Sequence, residues 1–449
     1  MLTMIEAEPC EVGAEELASF AKGELSGPAR RRILEHLLRG CASCRSRIAE
    51  LQQAKPDEDE SGWEDGERLG NLLRDLAERS ERMDAERSEA RRLLDTFLGH
   101  PTQRQWTLLR NSSRFATYSF TNGLIDAAFD TILDDPRRAH ALAEMAVDLA
   151  ERVDPEPYTK RIVNDLKARA LAHLGNAERT LGDLALAQRT LGRARAFLDE
   201  GSLDPLLEGE LFYLEASLLR GQRRLDPALR RVRAGRRIFA ELGEPIWWAR
   251  CLSSETTILF LQGDAESAVH TARRAVEIAD TSSDRRLALS ARHNLVWATM
   301  ETGAASEALT LLESFRPEYE AVGDRTSILR LGWLEARILQ QLGRVDDSIS
   351  RYERTVDGFA EAELPYEVAS ASLDYALLLA ENDRHAEVSR LAATTLEIFR
   401  GLGVEQGALA AWLIFHQSAQ AGAVTVALIE KLAAYFREAR LKPGLAFGG

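Results

Sequence analysis

The sequence predicts an all-α protein in which stacked helical hairpins form a solenoid with a period of about 40 residues. Two observations predict this class: a turn glycine recurs with one fixed step, and small residues follow each turn at fixed distances. Gly263, Gly303 and Gly343 stand 40 residues apart. The equivalent positions of the other repeats hold Gly182, Arg223 and Asp383.

Small side chains mark two positions after each turn. Five residues after the turn stand Ala187, Ala228, Ala268, Ala308, Ser348 and Val388. Seven residues further on stand Ala194, Gly235, Ala275, Phe315, Thr355 and Thr395. Such a pattern indicates two helices that approach so closely that only small side chains fit between them.

Composition limits the functional classes. The 449-residue chain is 45% hydrophobic and 29% charged, and its formal net charge is −14. This charge argues against a general nucleic-acid binder, which needs a basic surface. No apolar run approaches the ~20 residues of a membrane span, and the first residues lack the pattern of a signal peptide. We therefore expect a cytoplasmic protein of a bacterium-like cell, and four cysteines are too few for a disulfide framework.

The first 55 residues predict a small helical domain with a metal site. Helices are expected over 14–25 and 29–39 and again after the cysteine pair. Cys41 and Cys44 stand two residues apart, and His36 lies just over one helical turn earlier. Two thiolates and one imidazole can bind a tetrahedral Zn²⁺, and Cys10 can complete the set. Two alternatives remain: ordinary cysteines in a three-helix cap, or a redox switch in which Cys10 pairs with one of the other two.

This domain resembles the zinc-binding domain of anti-sigma factors. The resemblance rests on GEL at 23–25, EHLLRGCASCR at 35–45, and Cys10 before the first helix. Members of that family hold zinc with a His-x3-Cys-x2-Cys core and an upstream Cys or His, whereas His36 and Cys41 here are one residue further apart. The resemblance implies Zn²⁺ as cofactor and a sigma factor as partner.

Two segments connect this domain to the repeats. Residues 56–69 form an acidic linker around Trp63, and the alternatives are a solvated spacer or an acidic peptide that docks on a basic groove. Residues 70–135 predict a helical neck, with one long helix over 70–98 and further helices over 102–133. Asn122 and Gly123 are expected to interrupt these.

The repeats over 136–440 resemble tetratricopeptide repeats. The matching residues of the best repeat are Leu174, Gly175, Gly182, Ala187 and Ala194. The resemblance implies a right-handed superhelical solenoid, although the family period is about 34 residues. The longer period predicts longer helices or turns. A last pair around 405–440 would cap the array, and residues 441–449 would form a tail.

In a tetratricopeptide array the first helix of each pair lines the concave face. Carrying that face along the period predicts a groove rich in arginine and aromatic residues, which suits a peptide with acidic and apolar residues. The alternative is that the tryptophans belong to the core and the arginines are solvated. The candidate groove residues are Arg169, Asn176, Arg179, Glu210, Tyr213, Arg220, Arg250, Thr257, Phe260, His293, Trp297, Met300, Arg330, Trp333 and Arg337.

Two further features need an interpretation. Residues 220–237 hold eight arginines and one aspartate, and in so acidic a chain we expect them to meet the protein's own acids or an acidic partner rather than a phosphate backbone. Cys251 has no histidine or cysteine near it in sequence and is expected to be buried as a small apolar residue. No phosphate loop, dinucleotide fingerprint, nucleophile elbow or EF-hand loop occurs, so we expect no enzyme.

The functional prediction is a regulator that binds proteins. The zinc-binding head would bind a sigma factor, and the solenoid would receive a second partner or sense a signal. The alternative is a scaffold whose solenoid holds an effector enzyme, such as a protease or nuclease, encoded nearby. A third hypothesis is self-inhibition, in which residues 57–67 occupy the groove through Trp63.

Overall fold

The structure, a computed structural model, describes residues 12–21, 33, 63–132, 135–282, 284–322, 325–401, 406–420 and 422–439. Within these residues all regular secondary structure is helical. The chain divides into two compact units, the first comprising 1–123 and 152–159 and the second 124–151 and 160–449. None of the described helices combines the length and the apolar content that crossing a bilayer requires.

The first unit contains the N-terminal helices and an aromatic core. Phe97, Phe115 and Phe120 are fully buried, and their ring centroids lie 5.0–5.7 Å apart. Glu86 accepts hydrogen bonds from the Tyr158 hydroxyl and from the Ser119 backbone N–H. The helices of this unit are α1 (Ala14–Ala21), α2 (Trp63–Leu98) and α3 (Thr102–Asn111), with a 3-10 turn at Ser113–Phe115. Helix α4 (Tyr118–Thr131) begins in this unit, and its residues from 124 onward belong to the second.

Two sequence expectations about this region are wrong in detail. The long helix α2 begins at Trp63, seven residues before the predicted start, so residues 63–69 of the predicted acidic linker are helical. Gly123 does not interrupt a helix but lies inside α4. A Cβ at Gly123 would lie 2.9 Å from Leu94 Cδ2, so this glycine permits close packing, and the interruption falls at 112–117 instead.

The second unit is a series of helical hairpins. Helix α5 (Pro136–Arg152) comes first, and seven hairpins follow it in the described part of the chain. Their first helices are α6 (Lys160–Thr180), α8 (Pro205–Gly221), α10 (Pro245–Leu261), α12 (Arg285–Glu301), α14 (Arg325–Gln341), α16 (Pro365–Glu381) and α18 (Gln406–Gln420). Their second helices are α7 (Leu184–Asp199), α9 (Leu225–Leu242), α11 (Ala265–Ala279), α13 (Ala305–Val322), α15 (Val345–Glu361), α17 (His385–Gly401) and α19 (Val426–Ala439).

A residue with left-handed backbone makes the turn inside each described hairpin, and in most hairpins that residue is glycine. Gly263 has a φ of +83°, in the left-handed region, and the next N–H, of Asp264, donates to the Leu259 carbonyl at 3.0 Å. This backbone bond satisfies a carbonyl that the end of helix α10 leaves unpaired. Arg223 and Asp383 adopt the same region with φ of +60° and +58°. The turn geometry is therefore kept even where the sequence lacks glycine.

The small residues after each turn lie where the two helices of a hairpin meet. Ala228 is fully buried, and a Cβ on Gly235 would lie 3.0 Å from the Gly209 carbonyl oxygen of the facing helix. Phe315 is the exception, because it is only partly buried and its ring faces the guanidinium of Arg292 at 5.4 Å. Close helix packing was thus predicted correctly, apart from that position.

The long period resides in the helices. Helices α8 and α9 contain 17 and 18 residues, which together already exceed the family period of about 34. Each first helix from α6 to α14 also contacts the first helix of the next repeat, so the first helices from α6 to α16 form a continuous layer. The last pair, α18 and α19, forms the end of the array, and its aromatic side chains Trp412, Phe415 and Phe436 are fully buried.

Candidate functional site

The candidate groove residues all lie on the first helices α6, α8, α10, α12 and α14. We call the surface that they form the first-helix surface. Most are partly buried, whereas Asn176 and Glu210 are buried and Arg330 is exposed. Met300 is a correction: it is fully buried among the residues packed around Leu312, because its position on α12 faces the second helix of the hairpin.

Five of these residues line one pocket, which we call the tryptophan pocket. It is formed between α12, α14 and α16 and has a volume of 170 Å³. The residues lining it are His293, Trp297, Arg330, Trp333, Leu334, Arg337 and Glu367. The period thus brought together side chains that are 40 residues apart in sequence.

Hydrogen bonds fix both indole rings of the pocket. Trp297 Nε1 donates to Glu301 Oε1 at 3.0 Å, and Trp333 Nε1 donates to Asp374 Oδ2 at 2.9 Å. Arg337 lies between the two carboxylates, with Nη2 at 3.0 Å from Glu301 Oε1 and Nε at 3.8 Å from Asp374 Oδ2. One guanidinium therefore links the two rings, which belong to consecutive repeats.

The tryptophans also pack against the core on one side. The Trp297 ring lies 3.9 Å from the Phe260 ring, and Trp333 meets Phe359 edge to face at 6.1 Å. Burial, together with the positive charge of Arg330, lowers the pKa of His293 to about 4. His293 is thus a neutral imidazole at neutral pH. The pocket is apolar and aromatic at its centre and ionic at its edge.

Sequence reasoning missed the acidic partners in this pocket. Glu301 had a usable signal, because it stands four residues after Trp297 and so shares its helix face. Asp374 and Glu367 come from α16, to which the groove pattern was not extended. Glu367 is buried and accepts from Arg330 Nη2 at 3.2 Å.

A second cluster on the same surface is an ionic network around Glu210. Arg169 Nε lies 3.0 Å from Glu210 Oε2, and Arg169 Nη2 lies 2.9 Å from Asp126 Oδ1. His173 Nε2 lies 2.7 Å from Glu210 Oε1. Burial raises the pKa of Glu210, but the charges of Arg169 and His173 and their hydrogen bonds outweigh it and hold the pKa well below its usual range. This carboxylate stays ionised.

Aromatic rings adjoin this network. Phe129 packs on the His173 ring at 5.2 Å and on Trp247 at 5.6 Å. The Arg250 guanidinium lies over both the Phe129 and Trp247 rings, at 4.8 and 5.0 Å, and 3.5 Å from Asp284. Arg250 is therefore held by cation–π contacts as well as by an acid.

The arginine run at 220–237 meets acids of the protein itself. Arg233 Nε and Arg236 Nη1 donate to the two oxygens of the buried Glu255 at 2.7 and 2.8 Å. Arg231 pairs with Glu215 at 3.2 Å. The sequence had allowed two alternatives, the protein's own acids or an acidic partner, and these three arginines pair with the protein's own acids.

The buried state expected of Cys251 is confirmed, and burial raises the pKa of its thiol.

The predicted zinc ligands Cys10, His36, Cys41 and Cys44 lie outside the described residues, and so do residues 57–62 of the acidic segment. The zinc site and the self-inhibition hypothesis therefore stay predictions. Among the residues that the structure does describe, no three or more histidine, cysteine, aspartate or glutamate side chains form a group suited to a metal ion.

Comparisons with known proteins bear on the fold. No protein-family model matches the sequence, and no curated protein matches it significantly. A signal transduction ATPase with a tetratricopeptide repeat sensor from Pyrococcus horikoshii is 13% identical over 78% of this chain, with a TM-score of 0.54, and this chain covers 52% of that one. The second unit is thus a tetratricopeptide-like solenoid.

Two other solved structures are similar at lower scores. A Rap protein complexed with competence and sporulation factor is 15% identical, with a TM-score of 0.47 over 80% of this chain and 99% of that one. NprR in complex with its cognate peptide NprX is 14% identical, with a TM-score of 0.44 over 66% of this chain and 84% of that one.

Proposed function

We propose that this protein is a non-enzymatic regulator whose first-helix surface binds a segment of another polypeptide. The tryptophan pocket is the observation that carries the proposal. Its two indole rings are held open by Glu301, Asp374 and Arg337 rather than collapsed on each other. A pocket that is ordered before binding loses less side-chain entropy when a partner enters it.

The dimensions of the pocket favour a side chain as its occupant. Its 170 Å³ lies below the roughly 300 to 1,000 Å³ of small-molecule sites. Aromatic residues and arginine are the residue types that dominate binding energy at protein interfaces. An apolar side chain of the partner would lie between Trp297 and Trp333, while polar groups of the partner meet the ionic edge formed by Arg330 and Glu367.

A crosslinking experiment tests this proposal. A photoreactive amino acid replaces Arg330 at the pocket edge in the full chain, and a second version carries it at Arg354, an exposed position on the second helix α15. After expression in the native host, crosslinked partners are identified by mass spectrometry. We expect a discrete partner peptide from the Arg330 position and none from Arg354.

The companion variant is Trp297→Ala. Loss of one aromatic anchor should weaken partner binding by roughly 2 kcal/mol, and circular dichroism should show an unchanged helical content. Crosslinks that come equally from both positions, or partner binding that survives Trp297→Ala undiminished, would contradict the assignment of this surface.

For the N-terminal domain we propose zinc bound by Cys10, His36, Cys41 and Cys44, and a sigma factor as partner. Only the sequence resemblance supports this part. Metal analysis of the purified wild type and of the Cys41→Ser variant tests the zinc site, and we expect the variant to lose one equivalent of zinc.

A pull-down tests the sigma factor as partner. Recovery of no sigma factor or RNA polymerase component would favour the scaffold alternative, as would an effector-enzyme gene next to this one.

A further inference from the structure

Two arginines on the first-helix surface have no carboxylate partner in the described part of the chain. Arg179 and Arg220 stand in the last turns of α6 and α8, and we call them the arginine pair. Arg179 Nε and Nη2 donate to Asn176 Oδ1 at 3.0 and 2.8 Å, and Nη2 also donates to Thr180 Oγ1 at 3.0 Å. These acceptors are neutral, so neither positive charge is balanced.

The other candidate arginines of this surface differ from the pair. Each of them lies within 3.5 Å of at least one carboxylate oxygen, and the four are Arg169, Arg250, Arg330 and Arg337. A surface arginine that lacks a carboxylate usually reaches into water at little cost. The arginine pair does not, because both side chains are partly buried.

The electrostatics of the pair are unfavourable without an added negative charge. Burial, followed by repulsion from Arg220, lowers the pKa of Arg179 to about 10. Burial also lowers the pKa of Arg220, and Tyr213 lies close enough to influence both guanidinium groups. The two arginines occupy equivalent last-turn positions, one repeat apart, on the contacting helices α6 and α8. A bound anion would offset the repulsion between two like charges in such a partly desolvated place.

A neutral donor adjoins the pair. Asn176 is buried, and its Oδ1 accepts both bonds from Arg179. The Asn176 amide nitrogen consequently faces away from the guanidinium, and its hydrogens have no acceptor in the described part of the chain. Guanidinium and amide donors in combination suit the two oxygens of a carboxylate.

Helix dipoles offer a simpler reason for these positions. An arginine in the last turn of a helix is stabilised by the negative end of the dipole, and this holds for Arg179 and Arg220 separately. It does not explain why two partly buried charges that repel each other are both kept, and it predicts no dependence on added anions. The two explanations therefore differ in a measurable way.

We propose that the arginine pair, with Asn176, binds a carboxylate group of the polypeptide that occupies the first-helix surface. This deepens the proposed function and rests on it. A carboxylate suits the site better than a phosphate chain, because Glu210 and Asp126 lie on the same surface and would repel a polyanion. The net charge of −14 acts in the same direction.

The first test uses small anions as probes on the full chain. Thermal unfolding is followed in sodium glutarate, sodium phosphate and sodium chloride at matched ionic strength, for the wild type, Arg220→Met and the control Arg230→Met, an exposed arginine of α9. Glutarate should raise the Tm of the wild type and of Arg230→Met but not of Arg220→Met. Equal shifts in all three proteins, or a larger shift with phosphate than with glutarate, would overturn the carboxylate site.

The second test selects ligands from a random peptide display library on the immobilised full chain. We expect enriched peptides to share an aspartate, a glutamate or the terminal carboxylate, and Arg179→Met or Arg220→Met to weaken them roughly tenfold to a hundredfold. Enriched peptides that lose binding in Trp297→Ala but not in either arginine variant would refute the carboxylate site and leave the proposed function standing. If no peptide is enriched, the proposed function fails, and the glutarate shifts still decide the anion site.

Discussion

Two neighbouring hairpin turns, one with glycine and one with arginine at the same position, allow the stability effects of opposite substitutions to be predicted. Gly263 and Arg223 occupy equivalent positions and both adopt left-handed backbone, with φ of +83° and +60°. Glycine takes this conformation without strain, whereas a residue with a Cβ does not. Gly263→Ala should therefore destabilise the protein, and Arg223→Gly should stabilise it.

The magnitudes follow from the backbone alone. A Cβ added at Gly263 meets no atom within 4 Å, so the cost is the conformational strain of about 1–2 kcal/mol. The lower entropy of the unfolded alanine variant offsets about 0.4–1 kcal/mol of this, which leaves a net loss of roughly 1 kcal/mol. The same terms with opposite sign give Arg223→Gly a gain of roughly 0.5–1 kcal/mol, since the Arg223 side chain is exposed.

The assay is urea unfolding followed by circular dichroism, combined with native-state hydrogen exchange of the two hairpins. Exchange is needed because long repeat arrays do not always unfold in two states. Arg223→Ala is the control, because it removes the charged side chain and keeps the strained Cβ. It should leave stability within about 0.5 kcal/mol of the wild type.

The reasoning would be refuted if Arg223→Gly lowered stability by as much as Gly263→Ala. That result would mean that the Arg223 side chain, rather than its backbone, is what the turn requires. Equal gains from Arg223→Gly and Arg223→Ala would likewise show that removal of the charge, and not relief of strain, is responsible.

Three further predictions concern the packing and charges of the repeats. The pKa of His293 is about 4 in the folded protein, below the unfolded value of about 6.5. The contribution of this residue to folding stability is therefore complete above pH 6.5 and is lost as the pH falls toward 4. His293→Gln should remove up to about 3 kcal/mol of this pH dependence in urea unfolding, less where water reaches the ring. Glu210→Gln should cost roughly 3 kcal/mol in the same assay, because its two basic partners lose a buried counter-charge. Gly235→Ala should cost about 1–3 kcal/mol through the clash with the Gly209 carbonyl, whereas Gly192→Ala, with open space around its Cβ, should stabilise its helix by roughly 0.5–1 kcal/mol.

The sequence predicted features that depend on position along one helix. The turn glycines, the small residues between paired helices and the side chains of the tryptophan pocket all repeat with the period, so a single register error would have displaced them together. Trp297 and Trp333 line one pocket because both occupy the same side of consecutive first helices.

Features that depend on contacts with elements outside the repeat pattern were not predictable in this way. Asp126, the partner of Arg169, comes from α4, whose approach the period does not specify, whereas Asp374, the partner of Arg337, was missed because the groove pattern was not extended to α16. Gly123 illustrates the same limit, because a glycine that permits close packing and one that ends a helix look alike in sequence. The arginine-rich groove was thus predicted as a composition, and only the structure distinguishes balanced charges from the unbalanced pair.

The link through Arg337 has a mechanical consequence. Its guanidinium connects carboxylates that anchor the rings of two consecutive hairpins, so a change in tilt between those hairpins must either stretch the link or rotate a ring. A partner side chain bound between the two indole rings would resist that tilt. Occupancy of the tryptophan pocket would therefore limit how far these two hairpins can tilt against each other.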